Sequence, residues 1–136
     1  MRKSHTHNTA ELPIPTMEEV SPSIYAYVQL DGSWGLNNTG FIKGKNGLTM
    51  IDTCFTEART KSYLDSVRRV SSLPMNTLVN THHHGDHMGG NPSFSTHADI
   101  IGHQNNRTNM LRGNQPAPPN IVFSDETAVF LGGVEV

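Results

Sequence analysis

The chain has 136 residues, the length of one small domain. Hydrophobic residues make up 35% and charged residues 16%, with 12 Gly and 8 Pro, which excludes a disordered polar chain and a fibrous repeat. The net charge is −2 with Lys and Arg scattered, and the longest apolar stretch, residues 128–134, is far too short for a bilayer, so neither nucleic acid nor membrane is an expected partner.

Residues 1–22 are polar and interrupted by Pro13, Pro15 and Pro22, and they are expected to be a mobile leader. Met1-Arg2-Lys3 is followed by polar residues rather than an apolar run, so a secretory signal is not expected from this stretch. With one cysteine, Cys54, the chain suits a reducing compartment, and a cytoplasmic location is expected. Residues 23–30, aromatic and β-branched, predict a strand, and Asp31-Gly32 a hairpin turn after it. Further strands are expected at 39–43 and 48–51, joined by a turn at Lys45-Asn46-Gly47, the second nearly all apolar and so buried on both faces.

The period then changes. Leu64, Val67 and Val70 recur at helical spacing beside Tyr63, predicting a helix over 57–71 with Thr56 as N-cap and Pro74 beyond its end. A short buried strand follows at 77–80, then another at 98–102, a helix at 105–111 and a loop over 114–120. Residues 127–131 and 134–136 predict a hairpin around Gly132-Gly133. Its second strand has three residues where about five or six are usual, so the expectation is an unfinished strand at a sheet edge in a longer protein, or self-association through that edge. The alternation of strands and helices indicates an α/β class with active loops at strand ends.

Of eight histidines, four fall between positions 82 and 87: Thr81-His82-His83-His84-Gly85-Asp86-His87-Met88-Gly89-Gly90. Side chains alternate along an extended segment, so His82 and His84 point the same way and can chelate one ion. His83 points away, toward packing or a hydrogen bond. A turn at Gly85 brings Asp86 and His87 to the same pocket, aimed at a different point. Two ligand pairs suggest two ions about 3.5–4 Å apart, as in two-metal hydrolases. Gly89-Gly90 would let the backbone approach the metals. Asp52, ending a buried strand that faces the cluster, is expected to orient a ligand histidine rather than touch metal. Cys54 is expected to be a small buried hydrophobe, His97 and His103 structural, and Trp34 either a substrate-side aromatic or hairpin packing.

The motif His82-x-His84-x-Asp86-His87 after a short apolar strand and Thr81 resembles the metal-binding signature of the metallo-β-lactamase-fold superfamily. Residues 38–41, 48–53 and the helix that follows resemble its early strands and first helix. The resemblance implies an αββα sandwich of two similar halves, of which residues 23–136 would be the N-terminal half. It implies that His82 and His84 bind one metal and that Asp86 and His87 bind the other, with Asp86 also orienting the attacking hydroxide. The implied activity is zinc-dependent hydrolysis (two Zn²⁺ per site) of a small-molecule ester, thioester, lactam, lactone or phosphoester. Later ligands that the superfamily draws from its second half have no counterpart after His87, where only His97 and His103 remain, so the site is expected to be incomplete and inactive in this chain alone. Two other readings stand beside it: a mononuclear iron oxygenase of the same fold, and a non-catalytic half-domain completed by a partner or a second copy.

Overall fold

The computed structural model describes residues 14–29, 34–131 and 134–135. In chain order they form β1 (Thr16–Ser21), β2 (Ile24–Val28), β3 (Thr39–Lys43), β4 (Leu48–Ile51), α1 (Glu57–Val70), β5 (Thr77–Val79), α2 (Gly85–Met88), β6 (Asp99–His103), α3 (Gln104–Arg112), β7 (Ile121–Phe123), β8 (Phe130–Leu131) and β9 (Val134–Glu135), with a 3₁₀ turn at Asn91–Ser93. β1 to β7 make one seven-stranded sheet in sequence order. The first four strands pair antiparallel through short connections. β4, β5, β6 and β7 pair parallel, each step crossing over through helical segments. This is a mixed α/β fold.

α1 forms where the apolar period demands it. The Thr56 hydroxyl accepts from the Arg59 N–H at 3.2 Å and closes the first turn. Thr60, Tyr63 and Val67 are its buried positions; Tyr63 and Val67 are as expected and Thr60 extends the face toward the N-terminus, while Leu64 and Val70 pack at the rim of the core. The core itself gathers Tyr27, Phe41, Leu48, Met50, Leu78, Phe94 and Ile100 against Tyr63 and Val67. Each such side chain, fully buried, contributes roughly 1.5–3 kcal/mol. In β4 Leu48, Thr49 and Met50 are all buried, as a strand interior to the sheet requires.

Three expectations change. Residues 16–21 are not leader but strand β1, paired with β2 from Thr16↔Val28 to Ser21↔Ile24. As an edge strand, β1 tolerates mostly exposed side chains and flanking prolines, so its sequence carries no apolar signature. Residues 121–123, unassigned in the sequence, form β7, whose ladder to β6 is a tertiary event. The terminal hairpin exists as β8 and β9, but it begins at Phe130 rather than 127 and is a separate two-stranded sheet; the edges of the main sheet are β1 and β7. The expected Asp31-Gly32 and Gly132-Gly133 turns lie outside the described residues. Among the described residues, no helix is long and apolar enough to cross a membrane.

Two buried groups make this packing testable. The Tyr63 hydroxyl donates to the Gly40 carbonyl at 2.6 Å inside the core. Tyr63→Phe removes that donor and strands a buried acceptor, so urea unfolding is expected to show a loss of about 1–3 kcal/mol. Cys54 is fully buried, and burial pushes its thiol up to about 11. The folded chain should therefore resist iodoacetamide at pH 8 and react only after denaturation; rapid alkylation of the native protein would contradict this packing.

Candidate metal centre

The site lies beyond the carboxyl ends of the parallel strands, where α/β sheets place their ligands. β4 runs into Asp52 and β5 into Asn80 and Thr81. The ladder continues one step past each strand: Asp52 N–H donates to Val79 O and Asn80 N–H to Ile101 O, both at 2.9 Å. Asp52 then takes a left-handed backbone, φ +57°. That conformation costs a non-glycine residue on the order of 1–2 kcal/mol, least for Asp and Asn. Its return is an aimed carboxylate. Oδ1 accepts from the Thr81 N–H and Oδ2 from the Thr81 hydroxyl, both at 2.7 Å, while His87 Nδ1 lies 2.8 Å from the same Oδ2.

Donor accounting then sets the tautomers. A carboxylate only accepts, so His87 Nδ1 carries the proton. The single Thr81 proton is spent on Asp52, so His82 Nδ1, 2.9 Å from the Thr81 oxygen, donates to it. One carboxylate thus engages two rings, one directly and one through Thr81, each by its Nδ1 atom, and leaves the Nε2 atoms outside this network. The His82 and His87 ring centroids are 4.0 Å apart, and those of His82 and His84 are 4.7 Å apart. Asp86 Oδ2 lies 3.5 Å from His87 Nε2. Burial holds the His82 pKa below the usual imidazole value, helped by repulsion from His87 and His84 and opposed by Asp52 and Asp86. The neutral ring, the form that can ligate, is the favoured one.

The chain bends at Thr81 and His83, His84 is extended, and α2 begins at Gly85, its N–H groups at His87 and Met88 bonding back to His84 O. Gly85 supplies no left-handed turn; a side chain there would press on the Phe55 ring, its Cβ 2.9 Å from Cε2. Gly90 likewise makes room for α1 and Thr53 rather than for metal: a Cβ would collide with the Thr60 hydroxyl and sit 2.9 Å from Thr53 Cβ. Thr53 grips this junction, its N–H donating to His87 O and its hydroxyl accepting from Gly90 N–H, each at 2.8 Å. His83 is not packed inside; with His84, Asp86, Gln115, Trp34 and Phe55 it lines an open cavity of about 520 Å³. Trp34 and Phe55 meet edge to face, centroids 6.3 Å apart, and Trp34 is 92% exposed. Phe55 and Gln115 carried no signal in the sequence, because only tertiary folding brings them to the cavity.

His97 stacks beside Phe94, and His103 caps α3 through Nδ1 while its Nε2 lies 2.9 Å from Ser124 O; neither joins the cluster. Cys54 receives the Gln29 amide at 3.5 Å within the core. Three imidazoles and a carboxylate are the donor chemistry of zinc and of non-haem iron. The rings meet in pairs: among the described residues, no group of three or more His, Cys, Asp or Glu side chains is placed to hold one ion.

The sequence profile of the metallo-beta-lactamase superfamily matches residues 32–134. The alkyl/aryl-sulfatase BDS1 of Saccharomyces cerevisiae is 31% identical over 114 residues, a span covering 72% of this chain and 17% of that protein. Among solved structures, a metallo-beta-lactamase from Pontibacter korlensis superposes with TM-score 0.79 at 17% identity, covering 90% of this chain and 58% of that one. The DIM-1 metallo-beta-lactamase exposed to ceftazidime gives TM-score 0.73 at 18% identity, covering 93% and 59%. The chain thus spans under three fifths of these structures and about a sixth of the sulfatase. The profile match covers most of the chain and the fold agrees with it: the chain belongs to the metallo-beta-lactamase superfamily.

Proposed function

We propose that this chain is the metal-binding portion of a hydrolase that cleaves a small-molecule ester bearing an alkyl or aryl group, a sulfate ester included. The observation that carries the reading is the Asp52 carboxylate, which engages His87 Nδ1 directly and His82 Nδ1 through Thr81, in two rings whose centroids lie 4.0 Å apart. His82 and His84 would hold one zinc ion, Asp86 and His87 a second. When bound, zinc supplies a Lewis acid and lowers the pKa of its water to about 7. Asp86, which lines the cavity, would also orient the attacking water. Trp34 and Phe55 would take the apolar part of the substrate, since they present aromatic faces beside His84 and Asp86. The sulfatase relative supports the alkyl or aryl choice. A cytoplasmic setting suits the single buried thiol.

Equilibrium dialysis at neutral pH, with elemental analysis to distinguish zinc from iron, is expected to show metal uptake. Asp52→Asn should weaken it by about 10–100-fold and His83→Ala far less. Uptake that survives the loss of both His82 and His84 would overturn the assignment.

Turnover by the full protein should fall far more with Asp86→Asn than with His83→Ala. Trp34→Ala should raise KM about tenfold for a long-chain or aryl ester while sparing an acetyl ester, because only the former can bury its apolar part there. Equal effects on both esters would remove Trp34 from substrate binding.

A further inference from the structure

Residues 81–90 carry every candidate ligand, yet little within the loop holds its shape. α2 spans four residues, and a single helical turn is not stable alone in water. Asp52 and Thr53 hold it from one side, and a further tie joins its two ends. Asn80, the residue before it, and Asn91, the residue after it, face each other through a reciprocal amide pair. Asn80 Nδ2 donates to Asn91 Oδ1 at 3.1 Å, and Asn91 Nδ2 donates to Asn80 Oδ1 at 2.6 Å. Both residues are buried, 3% and 0% exposed.

The pair is tied outward as well. The second amide proton of Asn91 goes to Ala117 O at 3.0 Å, and Ala117 is held in a left-handed backbone, φ +55°. Asn106 of α3 donates to the Asn80 carbonyl at 3.5 Å. A buried carboxamide is costly unless paired, and here each supplies the donor and the acceptor that the other needs. Leucines would bury as well but would accept many arrangements; a satisfied amide pair in a low-dielectric interior accepts one.

We infer that Asn80 and Asn91 are positioning residues that clamp the histidine loop shut and lock it to the 114–120 loop, whose Gln115 lines the cavity beside His84 and Asp86. For its metal consequence the inference rests on the function proposed above; the closure of the loop does not. The two members are unequal. The Asn91 side chain donates two bonds, to Asn80 and to Ala117, and the Asn80 side chain donates one, to Asn91. Asn91→Asp should therefore be the more damaging exchange, although both preserve shape.

The test compares Asn80→Asp, Asn91→Asp and the Asn80→Leu/Asn91→Leu double variant of the whole chain with Tyr63→Phe, which lowers stability away from the loop. Amide hydrogen exchange at His87, Met88 and Gly89, whose N–H groups bond to His84 O and Gly85 O, reads the loop directly. Exchange there, relative to Leu78 in β5, is expected to quicken about tenfold in Asn91→Asp, less in Asn80→Asp, and not in Tyr63→Phe. Cobalt(II) titration followed by visible absorption should show affinity about tenfold lower in Asn91→Asp and unchanged in Tyr63→Phe. If Asn91→Asp does not fold, the milder Asn80→Asp decides. Loop exchange no faster than in Tyr63→Phe would overturn the clamp. A wild-type chain that takes up no cobalt would instead overturn the proposed function, leaving the exchange result to judge the clamp alone.

Discussion

A single carboxylate at the end of a central strand organises the histidine cluster. Asp52 adopts a left-handed backbone and in return accepts from both donors of Thr81 and from His87. Hydrogen bonds to a charged group contribute about 1.5–3 kcal/mol each, which outweighs the conformational cost of roughly 1 kcal/mol for an Asp. Strain concentrated at one residue and offset by its own contacts is common where a chain must present side chains rather than only pack them.

The effect reaches further because β4 and β5 are parallel neighbours. Their carboxyl ends emerge side by side, so the turn after one can hold the turn after the other. Asp52 and Thr53, consecutive residues, divide the work: the first holds the rings of His82 and His87, the second anchors the backbone at His87 within α2 and at Gly90 just past it. The glycines of the loop serve this packing. Gly85 yields to the Phe55 ring and Gly90 to Thr60, so the loop lies flat on the N-terminal end of α1.

The same arrangement accounts for the aromatic wall of the cavity. Phe55 follows the Asp52-Thr53-Cys54 corner and precedes the Thr56 cap of α1, so the residue that supports Gly85 from below also faces the cavity with Trp34. The ordered histidines and the apolar wall are thus two consequences of one short segment, residues 52–56. The solved metallo-beta-lactamases share this fold, and their chains, like that of the sulfatase relative, extend well beyond the span matched here.

Much of this was legible in the residues themselves. Periodicity located α1 and the interior strands because those elements bury continuous apolar stretches, and the spacing of His82, His84, Asp86 and His87 marked the candidate ligands because chelation needs several donors in a short reach. β1 and β7 left no such trace, since edge strands need not bury both faces and are defined by the neighbour they pair with. Nor could spacing reveal the tautomers of His82 and His87, the place of His83 and Gln115 in the cavity wall, or the meeting of Asn80 with Asn91. Composition and short-range pattern determine which groups are available and which segments are helix or strand. Which nitrogen carries the proton and which amide finds its partner depend on contacts beyond the reach of local pattern, 11 positions for Asn80 with Asn91 and 35 for Asp52 with His87, and only the packed tertiary structure creates those.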